Sequence, residues 1–132
     1  MRNNKETQLA IALANYIKMQ YPCCIYHFDL AGMNLSKANA LTQGRLNHRR
    51  GFPDLLIFNE AHGYNGLAIE LKADGTRLVK KDGTWATQHI KEQAQYLDTF
   101  SGIQWVAQFC IGFDSAKQLI DWYMTGYLRV VK

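Results

Sequence analysis

Two short apolar segments that each carry charged side chains constrain the fold of this chain most strongly. Residues 54–58 open with Asp54 and are otherwise apolar, and residues 67–72 follow a short turn and contain Glu70 and Lys72. Segments of this length and apolarity are typical of strands that are buried on both faces. A buried strand is a costly place for an unpaired charge, so three charged groups at neighbouring strand ends require a physical reason.

Hydrophobic periodicity and turn residues predict the elements around these strands. Apolar residues at helical spacing favour a first helix over residues 4–20, and Asp82-Gly83 is typical of a hairpin turn. The other predicted elements are a strand at 24–28, a short helix at 37–46, a helix at 87–100, a strand at 104–111 and a last helix that ends near 124. This order indicates an α/β fold with a small mixed sheet flanked by helices, in a single domain of residues 1–132.

Composition limits the class of protein. The chain has 15 Lys and Arg against 11 Asp and Glu, and its net charge of +4 is only weak evidence for a nucleic-acid partner. Three cysteines without a framework spacing argue against a secreted disulfide scaffold. The sequence lacks both an apolar run of membrane-spanning length and the apolar core of a signal peptide. We therefore expect a cytoplasmic protein without a membrane partner.

Strand geometry offers a reason for the three charged residues. Side chains alternate along a strand, so Glu70 and Lys72 share one face, and pairing of the two strands brings Asp54 beside Glu70. Two adjacent carboxylates repel each other unless a cation lies between them, and oxygen ligands suit Mg²⁺ or Mn²⁺. The backbone carbonyl of Leu71 is a further candidate ligand. Such an ion activates a water and stabilises charge on a phosphate, while Lys72 orients or deprotonates that water or stabilises the transition state.

A structural interpretation of the same residues stays open. Asp54 follows a proline and is typical of a turn, and Glu70 with Lys72 fits a surface ion pair on an edge strand. Each motif by itself is a weak signal. Their order on consecutive strands that are separated by one turn favours the metal site.

The two motifs resemble those of a known class of enzymes. Gly51-Phe52-Pro53-Asp54-Leu55-Leu56 and Ala68-Ile69-Glu70-Leu71-Lys72 resemble the PD-(D/E)xK nucleases, and specifically the VRR-NUC group. That group includes small stand-alone nucleases of phages and bacteria. His48-Arg49-Arg50 stands where the group has Val-Arg-Arg, so two of the three residues agree.

The resemblance extends to both sides of the motifs. Glu6 matches a glutamate in the first helix of the group, and Gln93 matches a glutamine that opens the helix after the lysine strand. Tyr96 stands three positions after Gln93, where the group has an aromatic residue. Residues 76–85 form a longer insertion than is usual there. The resemblance therefore covers most of the chain.

The resemblance implies a restriction-endonuclease-like core and a Mg²⁺-dependent DNA endonuclease. It implies that Glu6, Asp54 and Glu70 are the acidic groups of the metal site, that Lys72 is the catalytic lysine and that Gln93 positions the water or the phosphate. The alternatives are an ordinary first-turn glutamate for Glu6 and an exposed polar residue for Gln93. The small relatives imply action on branched DNA, such as four-way junctions or flaps.

Two basic segments are candidate DNA contacts. The first leads into the Asp54 motif and contains Arg45, His48, Arg49 and Arg50. The second is the predicted hairpin tip, where Lys80, Lys81 and Trp85 resemble a protrusion that grips DNA. Their positions favour contacts to phosphates. The alternative for both is a solvated loop, with Trp85 packed against the protein.

The rival to a nuclease is a nucleic-acid-binding or assembly module that has the fold without the activity. The complete set of acidic pair and lysine argues against this rival. One active centre cuts one strand, whereas a four-way junction needs two symmetric cuts, so we also expect a homodimer. The candidate interface is an apolar C-terminal cluster of Trp122, Tyr123, Met124, Tyr127, Leu128, Val130 and Val131. Alternatively, this cluster closes the core of the monomer.

Overall fold

The architecture is taken from a computed structural model, which describes residues 4–29, 36–46 and 51–131. Helices and strands follow one another in the predicted order. The elements are α1 (Asn4–Gln20), β1 (Tyr26–Phe28), α2 (Lys37–Leu46), β2 (Leu55–Ile57), β3 (Gly66–Lys72), α3 (Gln88–Gly102), β4 (Trp105–Ile111) and α4 (Phe113–Val131). The predicted α/β fold is confirmed.

The four strands form one mixed sheet in the order β1-β2-β3-β4. The pairs β1/β2 and β2/β3 are antiparallel, whereas β3 and β4 are parallel. A short turn joins β2 to β3, and the longer connection from β1 to β2 contains α2. A parallel pair needs a crossover connection, and here that connection contains α3. β3 therefore lies inside the sheet, and its seven residues are all buried.

Side chains of β3 point alternately to the two faces of the sheet, and different helices cover these two faces. Leu67, Ile69 and Leu71 belong to the hydrophobic core that α1 and α4 share. The helical members of that core include Leu9, Leu13, Ile17, Ala116, Ile120 and Met124. Glu70 and Lys72 point to the opposite face. There α3 covers the sheet, so the molecule has three layers.

The last helix is longer than the sequence predicts. Thr125-Gly126 is typical of a helix end, but α4 continues to Val131. Gly126 serves a close contact instead: a Cβ there would lie 2.5 Å from the ring of His62, in the turn between β2 and β3. The ring of His62 also stacks on Trp122, with centroids 4.2 Å apart. The close contact with His62 therefore explains a glycine at this position inside the helix.

Within the described ranges, no helix is both long enough and apolar enough to cross a lipid bilayer.

Candidate active site

The start of β2 and the end of β3 bring Asp54 and Glu70 together. Leu55 pairs with Ile69 in the antiparallel register, and one further step along both strands places Asp54 opposite Glu70. Side chains of directly opposed residues point to the same face of a sheet. The two carboxylates and Lys72 therefore share the face that α3 covers.

Pro53 and Asp54 together shape the edge of this site. In the same register Pro53 stands opposite Leu71, and a proline has no N–H to donate to the Leu71 carbonyl. The Leu71 N–H donates instead to Oδ2 of Asp54 at 2.8 Å. One carboxylate oxygen is thereby held against β3. Proline also leaves the Leu71 carbonyl without its usual cross-strand donor, which suits the predicted role of this carbonyl as a ligand.

Glu70 and Lys72 are buried, with 1% and 7% of their surfaces exposed. They lie on a strand with a neighbour on each side. The alternative of a surface ion pair on an edge strand is therefore wrong. Burial of the charged groups of Glu70 and Lys72 costs free energy, since each group loses its hydration. Buried charges that are kept despite this cost are typical of a site that binds a charged ligand.

Gln93 lies on the buried side of α3. It is 6% exposed, so the alternative of an exposed polar residue is wrong. Its Nε2 lies 3.2 Å from Nε2 of His89. Its Oε1 is buried and has no hydrogen-bond partner among the described residues. A buried amide oxygen in that state is well suited to receive a ligand, because leaving it unsatisfied costs free energy.

The segment that leads to Asp54 packs directly on α3. Gly51 has φ +90°, and a Cβ there would lie 3.0 Å from the carbonyl carbon of Glu92. The ring of Phe52 meets Tyr96 and Phe100 edge to face, with centroids 5.5 and 5.7 Å away. Tyr96 is the aromatic residue that follows Gln93 in the sequence pattern. Its contact with Phe52 thus packs α3 against the segment that contains Asp54. These contacts set the position of Gln93 relative to Asp54.

Two further polar residues lie at this site and were missed in the sequence. Asp29 follows β1, and its N–H donates to the carbonyl of Asp54 at 2.8 Å. It therefore extends the row of Asp54 and Glu70 onto a third strand. His89 lies one helical turn before Gln93 on α3. The register of β1 would reveal Asp29, and the buried face of α3 would reveal His89.

Glu6 is half-buried in the first turn of α1. The core residues of α1 pack on the face of the sheet opposite to Glu70. The role of Glu6 at the metal site stays a prediction.

The predicted DNA contacts fall in three places. Arg45 is exposed in the last turn of α2. Lys80 and Lys81 are exposed in the turn of the hairpin, where Val79 and Trp85 form a single bridge. His48-Arg49-Arg50 lies outside the described residues.

The donor set brought together here consists of oxygen atoms. Among the residues that the structure describes, no group of three or more His, Cys, Asp and Glu side chains has metal-binding geometry. Mg²⁺, however, typically uses one or two carboxylates and keeps several waters. The carboxylates of Asp54 and Glu70, the Leu71 carbonyl and the buried Oε1 of Gln93 match that requirement. The site therefore fits Mg²⁺ or Mn²⁺ better than a metal that prefers nitrogen or sulfur ligands.

Comparisons with known proteins find a similar solved structure. No family model and no curated protein matches the chain. A solved structure described as "VRR_NUC domain protein" superimposes with a TM-score of 0.66 at 22% identity. The match covers 96% of this chain and 93% of that one. At this identity the likeness concerns the fold, and it agrees with the resemblance carried by residues 51–72: the chain has the fold of a VRR_NUC domain protein.

Proposed function

We propose that this chain is a divalent-metal-dependent nuclease that hydrolyses phosphodiester bonds of DNA. One observation carries the proposal: Asp54 directly precedes the paired residues of β2 and accepts from the Leu71 N–H, between the buried Glu70 and Lys72 of β3. The fold shared with a VRR_NUC domain protein supports it. Branched DNA as the preferred substrate is inferred from the sequence resemblance alone.

The acidic residues would hold the metal ion. Asp54 is suited to this because the Leu71 N–H fixes one of its oxygens and so limits the orientations of the other. Glu70 presents a second carboxylate from the neighbouring strand, and the Leu71 carbonyl follows it directly in the chain. A Mg²⁺ ion bound there supplies an activated water and stabilises negative charge on the phosphate. Because the ligands come from a paired hairpin, their spacing is set before the ion binds.

Lys72 would act on the phosphate or on the attacking water. Its ammonium group is a hydrogen-bond donor and cannot ligate a metal in its charged form. On a buried face, its charge is weakly screened and therefore stabilises a developing negative charge more strongly than it would in water. Gln93, from the helix above, would orient the water or the phosphate through its buried amide.

The experiment that tests the proposal compares labelled linear, flap, splayed and four-way DNA in Mg²⁺, Mn²⁺ or EDTA. Metal-dependent cleavage that Asp54→Asn removes would support it. Asp98→Asn is the matched control, because Asp98 is an exposed carboxylate on α3 and its loss should leave the rate unchanged. DNA binding without cleavage in every metal condition would identify the chain as the rival non-catalytic module.

A further inference from the structure

A cavity of about 460 Å³ opens between the hairpin and the beginning of α3. Its lining includes Lys80, Trp85, Thr87 and Lys91. We propose that this cavity binds an unpaired nucleotide of the DNA substrate, close to the phosphate that is cut. The inference rests on the proposed nuclease function. It specifies which structural feature of the DNA substrate the chain recognises.

The chemistry of the lining matches a nucleotide. Lys80 and Lys91 bring two positive charges, and none of the lining residues is acidic. The Trp85 side chain is 39% exposed, so part of its ring is available to a ligand although it also packs on the protein. Aromatic rings bind unpaired bases by stacking, and lysines neutralise the adjoining phosphates. The volume lies in the usual range of small-ligand sites.

An unpaired base fits this site better than a base pair. In a duplex both faces of each base are stacked on neighbours, so a base must leave the stack before it can lie on Trp85. Unstacking costs least where the strand is already single. The cavity therefore favours DNA with an unpaired segment, such as a flap or a splayed end, over a continuous duplex.

The walls of the cavity are held in place without a ligand. The Lys80 N–H donates to the Thr84 carbonyl at 2.8 Å, and the Ala86 N–H donates to the Leu78 carbonyl at 2.8 Å. Within the turn, Oδ1 of Asp82 accepts from the N–H and the hydroxyl of Thr84, at 3.0 and 2.6 Å. A binding site that is formed in advance loses less conformational entropy when its ligand binds.

The opposite wall is the first turn of α3. Oγ1 of Thr87 accepts from the Ile90 N–H at 3.1 Å, which satisfies one of the free donors at the helix start. Lys91 lies one turn further along the helix and contributes to the same lining. The lysines on the hairpin and on the helix therefore face a common space from two sides.

The cavity also lies close to the proposed catalytic residues. The ring of Trp85 is 6.0 Å from the ring of Phe109, centroid to centroid. Phe109 is the β4 neighbour of Glu70 in the parallel register. Neighbouring strands are about 4.8 Å apart, so Trp85 lies on the order of 10 Å from the backbone of Glu70. A few nucleotides span that distance at about 3.4 Å each.

The test measures binding of a splayed-arm duplex in EDTA, where no cleavage is expected. Fluorescence of Trp85 should be quenched when a base stacks on it. Trp105 and Trp122 also emit, so Trp85→Phe serves to assign the signal; it retains an aromatic ring against Phe109. Replacing one base of the unpaired arm by an abasic residue should weaken binding of the wild type roughly tenfold, as stacking energies suggest. The same replacement should have little effect on Trp85→Ala.

Variants that remove a lysine charge test the nucleotide site independently through DNA affinity. They also provide a test if Trp85→Ala does not fold. Lys80→Gln and Lys91→Gln should weaken binding of the splayed DNA by several-fold more than Lys18→Gln. Lys18 is the matched control, because it is exposed at the end of α1 and its loss changes the net charge equally. Equal effects of the three variants, or an abasic scan without any sensitive position, would overturn the inference.

The two proposals fail separately. Metal-dependent cleavage of paired and unpaired DNA at equal rates, without quenching of Trp85, would retain the nuclease and remove the nucleotide site. Quenching and abasic sensitivity without cleavage in any metal would retain the nucleotide site and remove the nuclease.

Discussion

The N–H of Leu71 donates to the Asp54 carboxylate at 2.8 Å, and this bond ties the beginning of β2 to the strand that carries Glu70 and Lys72. It gives Asp54 a structural role beside its proposed role as a ligand. The two roles are separable, because asparagine retains the accepting oxygen and alanine does not.

The first prediction compares Asp54→Asn with Asp54→Ala. Both should reduce the cleavage rate by at least about 100-fold, because both remove a charged ligand. Only the alanine variant should lose stability, by about 1–2 kcal/mol, since it leaves the Leu71 N–H without this acceptor. Cleavage rates and thermal midpoints measured side by side would show the difference. An alanine variant that cuts at nearly the wild-type rate would remove Asp54 from the site.

The second prediction concerns Lys72. Lys72→Met retains most of the side-chain volume, which matters at a residue that is buried, and removes the charge. We expect a loss of at least about 100-fold in cleavage rate with little change in Mn²⁺ affinity, because the lysine is not a ligand. Calorimetric titration with Mn²⁺ measures the affinity. Lys37→Met, at an exposed position of α2, is the control. Loss of metal affinity together with activity would instead indicate a structural role for the lysine.

The third prediction concerns the contact between α1 and α4. Asp121 accepts from the hydroxyl of Tyr21 at 2.6 Å and from Lys117 at 2.8 Å, and it also accepts from Tyr16. Partial burial opposes ionisation of Asp121, but hydrogen bonds from Lys117 and the two tyrosines outweigh it and lower the pKa below 3.8. Asp121→Asn should therefore destabilise the fold by about 1–2 kcal/mol at neutral pH.

The sign of the pH dependence follows from the lowered pKa of Asp121. A carboxyl group whose pKa is lower in the folded state contributes stability above its unfolded pKa, and this contribution disappears as the pH falls through the folded pKa. The stability difference between wild type and Asp121→Asn should thus be constant near neutral pH and shrink below about pH 4. Urea unfolding at several pH values measures it. A difference that grows in acid would contradict the account.

The fourth prediction is that the active form is a homodimer that cuts four-way junctions in pairs. Tyr123 and Met124 lie in the core, so part of the apolar C-terminal cluster closes the monomer. Trp122 and Leu128 are exposed and are the described members that stay available for an interface. Leu128→Glu should convert a dimer to a monomer in light scattering, whereas Met19→Glu, at an exposed position of α1, should not. A wild-type protein that is a monomer in light scattering, or that cuts only one strand of a four-way junction, would disprove this prediction and leave the nuclease proposal intact.

Much of the fold could be predicted because its signals are local. The apolar run at β2 and the alternation in β3 indicate two buried strands, and the period of two places Glu70 and Lys72 on one face without knowledge of any other contact. The pairing of β2 with β3 also follows from one short turn. These features suffice to bring Asp54 beside Glu70.

Other features depend on residues that are distant in sequence. Asp29 joins the row of acidic residues only through the register of β1 with β2, and a three-residue strand carries little signal for its register. Gly126 is typical of a helix end, yet its contact with His62 gives it another role. The burial of Gln93 depends on how α3 packs on residues 51 and 52. Each of these requires tertiary structure.

The hairpin of residues 76–85 has its own β-bridge between Val79 and Trp85. It contacts the sheet where the ring of Trp85 packs on Phe109 of β4. The register of β2 with β3 does not depend on it. The strand pair that positions the proposed catalytic residues Asp54 and Glu70 therefore forms without the hairpin, which supplies one wall of the proposed binding cavity. A graft that changes the length or composition of this hairpin should thus alter the proposed preference among DNA shapes and leave the proposed catalytic residues in place.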